Sequence, residues 1–63
     1  MYVSVYLETG YDFLTGKYEY ECIDYSEKLK THAELEKAER KFRKLYSGDE
    51  YSIRWEKQAP ILD

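Results

Sequence analysis

The sequence predicts an α+β domain of order β-β-α-β, with one helix packed on one face of a three-stranded sheet. Three observations support this fold class: apolar residues alternate with a period of two before residue 26, a three-and-four apolar repeat follows, and a second alternating segment comes after it. The 63 residues allow one domain with a thin stability margin. We expect the domain to span residues 1–57 and a short tail to span residues 58–63.

The first predicted strand covers residues 2–9. Val3, Val5 and Leu7 occupy alternate positions, which is typical of a half-buried strand. Residues 10–16 begin and end with glycine and are predicted to form the loop of a hairpin. The face of the strand opposite the valines is expected to carry Tyr2, Ser4, Tyr6 and Glu8.

The second and third predicted strands cover residues 17–25 and 50–57, and both alternate. On the second strand, one face carries Tyr18, Tyr20 and Cys22, and the other carries Glu19, Glu21 and Ile23. On the third strand, Tyr51, Ile53 and Trp55 alternate with Ser52, Arg54 and Glu56.

The predicted helix covers residues 31–47. It begins with a capping box, in which Thr31 is followed three positions later by Glu34. Gly48 follows the last periodic residue and is predicted to be its C-cap glycine. The apolar stripe consists of Leu35, Ala38, Phe42 and Leu45.

The order of the elements also predicts how the strands are arranged. A right-handed crossover through the helix places the third strand beside the first and parallel to the second. The sheet order is then 2-1-3, an antiparallel or mixed sheet with the first strand in the centre. The helix covers one face, and the other face stays open.

Composition argues against an enzyme. Apolar residues make up 43% and charged residues 37% of the chain, which is typical of a globular domain. With one cysteine, Cys22, and one histidine, His32, the sequence predicts no disulfide, metal site or cofactor. A Cys22–His32 thiolate pair is the catalytic alternative, and a buried cysteine with a solvated histidine is the favoured interpretation.

We expect a cytoplasmic protein, because neither a signal peptide nor a membrane span is present.

Charge is distributed unevenly along the chain, whose net charge is −3. Residues 1–27 carry a net charge of −5, residues 28–44 one of +4 and residues 45–63 one of −2. The basic helix has two interpretations: a face that contacts phosphates, or cations that complement the helix dipole and pair with neighbouring glutamates. The candidate nucleic-acid contacts are Lys37, Arg40, Lys41 and Lys44.

Two further surfaces are candidates for protein binding. Tyrosines and carboxylates on the open sheet face predict an acidic, amphipathic docking surface, although exposed tyrosines also simply favour strands. Apolar residues at the hairpin tip either contact a partner or fold back over the helix end to close the core. The candidate partner-binding residues are Tyr2, Tyr6, Glu8, Tyr11, Asp12, Phe13, Leu14, Glu19 and Glu21.

In its length, its Tyr18-Glu19-Tyr20-Glu21 strand and its capped, charged helix, the chain resembles the small inhibitors of host machinery that phages and mobile elements encode. Anti-CRISPR proteins and uracil-DNA glycosylase inhibitors are two such groups. The resemblance is one of type over the whole chain and includes no family-specific motif. It implies a non-catalytic protein that acts in the host cytoplasm, and the basic helix argues against a DNA mimic of the glycosylase-inhibitor kind.

The leading hypothesis is an inhibitor or adaptor that occludes a nucleic-acid-processing host protein or nucleoprotein, and the specific candidate is a CRISPR effector nuclease with its guide RNA. One alternative is a small nucleic-acid-binding regulator that uses the basic helix. Another is a self-assembling interaction protein that forms a homodimer through a sheet edge, because a three-stranded sheet leaves two edges unpaired.

Overall fold

A computed structural model describes residues 1–59 of the chain. Its elements are β1 (Tyr2–Asp12), β2 (Lys17–Tyr25), α1 (His32–Leu45) and β3 (Tyr51–Glu56). β1 is the central strand and pairs antiparallel with both β2 and β3, in the order β2-β1-β3. The predicted α+β fold and strand order are therefore confirmed. Of the predicted tail, residues 60–63 lie outside the described residues.

The hydrophobic core lies between α1 and the sheet. Val3 and Val5 on β1 are fully buried, and Leu35 and Phe42 on α1 are buried against them. Each such side chain contributes about 1.5–3 kcal/mol when it is removed from water. The core is completed by partly buried residues of the linkers, α1 and β3, namely Leu29, Ala38, Tyr46, Tyr51, Ile53 and Trp55.

α1 begins as the sequence predicts and ends differently. The Thr31 Oγ1 accepts a 3.2 Å hydrogen bond from the Glu34 N–H, which confirms the predicted N-cap. The helix ends at Leu45, and its C-cap is Tyr46, whose N–H donates to the Phe42 carbonyl at 2.7 Å. The predicted glycine cap at Gly48 is wrong, because the chain leaves the helix two residues earlier.

The apolar stripe of α1 also differs at this end. The sequence predicts Leu45 in the stripe, but in the structure this residue is 63% exposed. Tyr46, four residues after Phe42, takes its place: its ring centre lies 5.2 Å from that of Tyr51. The Tyr46 hydroxyl donates a 2.9 Å hydrogen bond to Asp24 on β2, which fixes the end of the helix to the sheet.

β1 is three residues longer than predicted, because it continues through the first glycine to Asp12. The pairing of β1 with β2 shifts by one residue between Glu8 and Gly10, so that Thr9 is an extra, unpaired residue. A second shift, between Val5 and Tyr6, leaves Ile23 of β2 unpaired, so that Asp24 is opposite Val5 and Tyr25 is opposite Ser4. The connection to β2 is consequently four residues, 13–16, rather than seven. Gly16 ends it with a φ of 71°, a conformation that glycine adopts without strain.

Candidate binding surfaces

A two-stranded arm projects from the domain. β3 pairs with β1 only from Tyr2 to Leu7, so within residues 1–59 β1 and β2 continue beyond it as a two-stranded ribbon. The molecule is accordingly elongated, with extents of 40 × 23 × 18 Å. We call residues 8–20 the hairpin arm. It contains three carboxylates and one lysine, and its net charge is −2.

The tip of the hairpin arm exposes two large apolar side chains. Phe13 is 89% exposed and Leu14 is 97% exposed. The expectation that they fold back to close the core is therefore wrong, and the alternative, an exposed apolar tip, is what the structure has. The ring of Phe13 contacts only its neighbour Tyr11 among the described aromatic rings, edge to face at 5.2 Å.

Hydrogen bonds give this tip a defined shape. The Asp12 carboxylate accepts from the Leu14 N–H at 2.9 Å, and the Asp12 carbonyl accepts from the Gly16 N–H at 2.8 Å. The first of these bonds holds the pKa of Asp12 below its usual range, because it stabilises the ionised carboxylate. Phe13 and Leu14 are thus presented on an ordered turn.

The sheet face opposite α1 is lined by tyrosines. Cross-strand partners share a face, and Tyr6 is opposite Cys22 while Glu8 is opposite Tyr20. The rings of Tyr11 and Tyr18 lie 4.9 Å apart, and those of Tyr2 and Tyr25 lie 6.4 Å apart. We call this surface the tyrosine face; it carries Tyr2, Tyr6, Tyr11, Tyr18, Tyr20 and Tyr25.

The predicted acidic character of this face is wrong in part, because Glu19 and Glu21 lie on the other side of the sheet. Glu21 is opposite Leu7, whose side chain is on the α1 side, and Glu19 is two residues from Glu21 on the same strand. The bulge at Thr9 is the physical reason. Without this bulge, the cross-strand partner of Glu8 would be Glu21, and both would lie on the open face as predicted. With the bulge, the cross-strand partner of Glu8 is Tyr20.

Beneath the tyrosines lies a polar cluster that the sequence did not reveal. Ser4 is fully buried on this face, and its hydroxyl donates a 2.8 Å hydrogen bond to Oε2 of Glu56. The Tyr6 hydroxyl donates a 2.6 Å hydrogen bond to Oε1 of the same carboxylate. This bond, followed by burial, raises the pKa of Tyr6 to about 12. The only sequence signal for the cluster was a serine in the middle of an apolar strand.

Arg54 is the exposed side chain of β3 on the same face. Its guanidinium carbon lies 4.7 Å from the centre of the Tyr6 ring and 5.6 Å from that of Tyr20. Both distances are within the range of cation–π attraction. The alternation of β3 was enough to place Arg54 on this face, beside Tyr6 of β1, with which β3 pairs without a register shift. Its second aromatic partner, Tyr20, depends on the shifted register between β1 and β2.

The basic face of α1 separates into paired and unpaired cations. Arg40 lies 3.9 Å from Glu36 and Arg43 lies 3.5 Å from Glu39, as i,i+4 ion pairs. In residues 1–59, no carboxylate oxygen lies within 4.0 Å of the side-chain nitrogen of Lys37, Lys41 or Lys44. These unpaired lysines, Lys37, Lys41 and Lys44, line one open groove with Arg40, Glu27, Leu29, Glu34 and Ala38.

Cys22 and His32 do not form a pair. Cys22 is on the tyrosine face, opposite Tyr6, whereas His32 begins α1 on the other side of the sheet, with its ring 5.0 Å from that of Trp55. Burial raises the pKa of the Cys22 thiol, the reverse of what an activated thiolate requires.

Metal-binding clusters and membrane-spanning helices are both absent from residues 1–59. Within residues 1–59, no group of three or more histidine, cysteine or acidic side chains is placed to hold a metal ion. In the same part of the chain, no helix has the length and apolar content needed to cross a membrane.

Comparisons with protein-family models, with curated proteins and with solved structures find no match to this chain.

Proposed function

We propose that this chain is a non-catalytic inhibitor or adaptor that places its hairpin arm in a groove of a nucleic-acid-processing host protein in the cytoplasm. The observation that carries the proposal is the tip, where Phe13 and Leu14 are almost fully exposed on an ordered turn. Exposed apolar side chains that converge at one point are typical of a protein contact site. Once seated in a pocket of the partner, they would supply the central, desolvated part of the interface.

Charge supports the choice of partner class. The hairpin arm carries a net charge of −2, and three acidic side chains of this chain, Glu19, Glu21 and Asp24, lie on the α1 side of β2. Proteins that handle nucleic acids present basic grooves, and a negatively charged arm is attracted to such a groove. Inhibition would then follow from occupancy: the arm fills the groove that a nucleic-acid strand needs, and no chemical step is required.

The experiment is an affinity pull-down from bacterial lysate, read by mass spectrometry, with and without nuclease treatment. The bait is the wild-type chain or the double variant Phe13→Ser, Leu14→Ser. We expect wild type to retain one dominant nucleic-acid-processing protein after nuclease treatment, and the tip variant to lose it. The matched control is Leu45→Ser, which removes an exposed leucine from α1 and should retain the protein.

Two results would contradict the proposal. Equal recovery by wild type and the tip variant would show that the arm does not carry the contact. Recovery of the bait alone would instead favour self-assembly through the outer edges of β2 and β3, which have no strand partner within the described residues.

A second candidate function is direct nucleic-acid binding by α1. The observation in its favour is that Lys37, Lys41 and Lys44 lack carboxylate partners in the described chain, so their charges are free for phosphates. This function predicts nuclease-sensitive recovery of many proteins in the same pull-down, a result distinct from retention of one protein.

A further inference from the structure

Arg54 is held in place by the tyrosine face. Its guanidinium lies over the ring of Tyr6 and beside that of Tyr20, at 4.7 and 5.6 Å from the ring centres. An arginine stacked on aromatic rings keeps its planar fork of donors in a defined position. It therefore loses less conformational freedom when it binds a ligand than a free surface arginine does.

Among the described residues, no ion pair uses the hydrogen-bond donors of this guanidinium. Within residues 1–59, no carboxylate oxygen lies within 4.0 Å of it. The acidic residue two positions along β3, Glu56, accepts from Ser4 and Tyr6 with its two oxygens. In contrast, Arg40 and Arg43 on α1 each pair with a glutamate of their own helix. Arg54 is thus an exposed cation, held by two aromatic rings, whose donors can bind an external anion.

We propose that Arg54 is the anchor of a carboxylate-recognition site on the tyrosine face, which binds an aspartate or glutamate side chain of the partner protein. The guanidinium donates two parallel N–H bonds to the carboxylate, the geometry that arginine and carboxylate prefer. Rings of the tyrosine face pack against the apolar residues that flank this carboxylate. The inference rests on the proposed function, because it assigns a second contact with the same partner protein.

The composition of the face favours a protein carboxylate over a nucleic-acid backbone. Arg54 is the one guanidinium on this surface among the described residues, and Glu8 lies on the same face. One fixed cation matches one side-chain carboxylate. A nucleic-acid strand carries a charge at every phosphate, and its affinity depends on several cations acting together. The net charge of the chain, −3, further opposes a polyanion.

The test uses defined probes and the intact chain, followed by NMR at the Nε–Hε group of Arg54. The probes are the blocked peptides acetyl-Leu-Glu-Leu-amide and acetyl-Leu-Gln-Leu-amide, and a single-stranded thymidine oligonucleotide. We expect the glutamate peptide to shift the Arg54 signal with a dissociation constant on the order of 1 mM. The glutamine peptide, which lacks the charge, should bind at least about fivefold more weakly.

A conservative variant separates geometry from charge. Arg54→Lys keeps the positive charge and removes the planar fork, so we expect binding of the glutamate peptide to weaken about fivefold or more. Because the variant has no Nε–Hε group, wild type and variant are compared through the shifts of the Tyr6 and Tyr20 backbone amides, the residues whose rings lie against Arg54. An unchanged amide spectrum elsewhere in the variant shows that the fold is intact.

Three outcomes overturn the inference: no shift of Arg54 up to about 10 mM glutamate peptide, equal shifts by the two peptides, or a shift by the oligonucleotide alone. The assay is also independent of the hairpin tip. The Phe13→Ser, Leu14→Ser variant should bind the glutamate peptide as wild type does, so failure of the arm proposal and failure of the Arg54 proposal remain distinguishable.

Discussion

The Tyr6 hydroxyl donates a 2.6 Å hydrogen bond to the Glu56 carboxylate and so joins β1 to β3 on the face of the sheet opposite α1. The same carboxylate accepts from the fully buried Ser4. These bonds satisfy polar groups that would otherwise be costly to remove from water. They also give the tyrosine face a rigid base, on which the Tyr6 ring supports Arg54.

The first prediction concerns the strength of this bond. Tyr6→Phe removes a hydrogen bond to a charged group, and we expect the free energy of unfolding to fall by about 1.5–3 kcal/mol near neutral pH. Tyr18→Phe is the matched control, because its exposed hydroxyl should leave stability within about 0.5 kcal/mol. Urea unfolding of the three proteins gives the comparison. Equal losses in both variants would mean that the Glu56 bond adds nothing to stability.

The second prediction is the pH dependence of the same bond. The pKa of Tyr6 is about 12 in the folded chain and 10.0 in its ordinary state, so the folded state retains the proton over this interval. The stabilisation is therefore complete below about pH 10 and is lost as the pH rises from 10 toward 12. We expect the stability difference between wild type and Tyr6→Phe to shrink through this window. A difference that stays constant up to about pH 12 would contradict the raised pKa.

The order and type of the elements followed from the sequence, because period-two and three-and-four patterns depend on which side chains face the core. The composition of the tyrosine face did not follow. The extra residue Thr9 shifts the pairing by one position, so that Cys22 and Tyr20 of β2 lie opposite Tyr6 and Glu8. No residue pattern marked Thr9 as a bulge. Glu19 and Glu21 therefore changed faces, and Tyr20 took their place beneath Arg54.

The end of the helix shows a similar limit. Leu45 and Tyr46 both follow Phe42 at a spacing that suits an apolar stripe. The choice between them depends on Asp24 and Tyr51, which are distant in sequence and hold the Tyr46 side chain in place.

The third prediction tests whether Phe42, rather than Leu45, belongs to the core. Phe42→Ala should cost about 3–5 kcal/mol, whereas Leu45→Ala should change stability by less than about 0.5 kcal/mol.

Circular dichroism with urea unfolding measures both variants. A loss of 3–5 kcal/mol is about the whole stability of a domain of this size, so Phe42→Ala is expected to be largely unfolded. Phe42→Leu keeps most of the volume and provides a folded second variant, with an expected cost below about 1.5 kcal/mol. If Leu45→Ala were as damaging as Phe42→Ala, Leu45 would belong to the core.

The fourth prediction compares two glycines of the hairpin arm. Gly16→Ala places a Cβ on a residue with a φ of 71°, which costs about 1–2 kcal/mol in an L-residue. The nearest atom to that Cβ, the Tyr11 hydroxyl oxygen, is 3.7 Å away, so the cost is one of backbone conformation and not of space. Gly10→Ala meets only a Glu19 oxygen at 3.8 Å, and its φ is not positive. We expect it to be neutral or slightly stabilising. Thermal unfolding of both variants decides, and a neutral Gly16→Ala would contradict the turn.

The last prediction separates the two candidate functions through the unpaired lysines of α1. If the chain acts by binding a protein, its net charge of −3 should keep its affinity for a naked oligonucleotide weaker than a dissociation constant of about 10⁻⁴ M at physiological salt. The triple variant Lys37→Glu, Lys41→Glu, Lys44→Glu should then change little in that assay. Lys28→Glu, Lys30→Glu, Lys57→Glu gives the same change in net charge at other exposed sites and is the matched control. The opposite outcome is tight, salt-dependent binding of the oligonucleotide by wild type. If the slope of the log binding constant against the log salt concentration is then smaller by about 2–3 in the helix variant, and unchanged in the control, α1 is a nucleic-acid-binding surface.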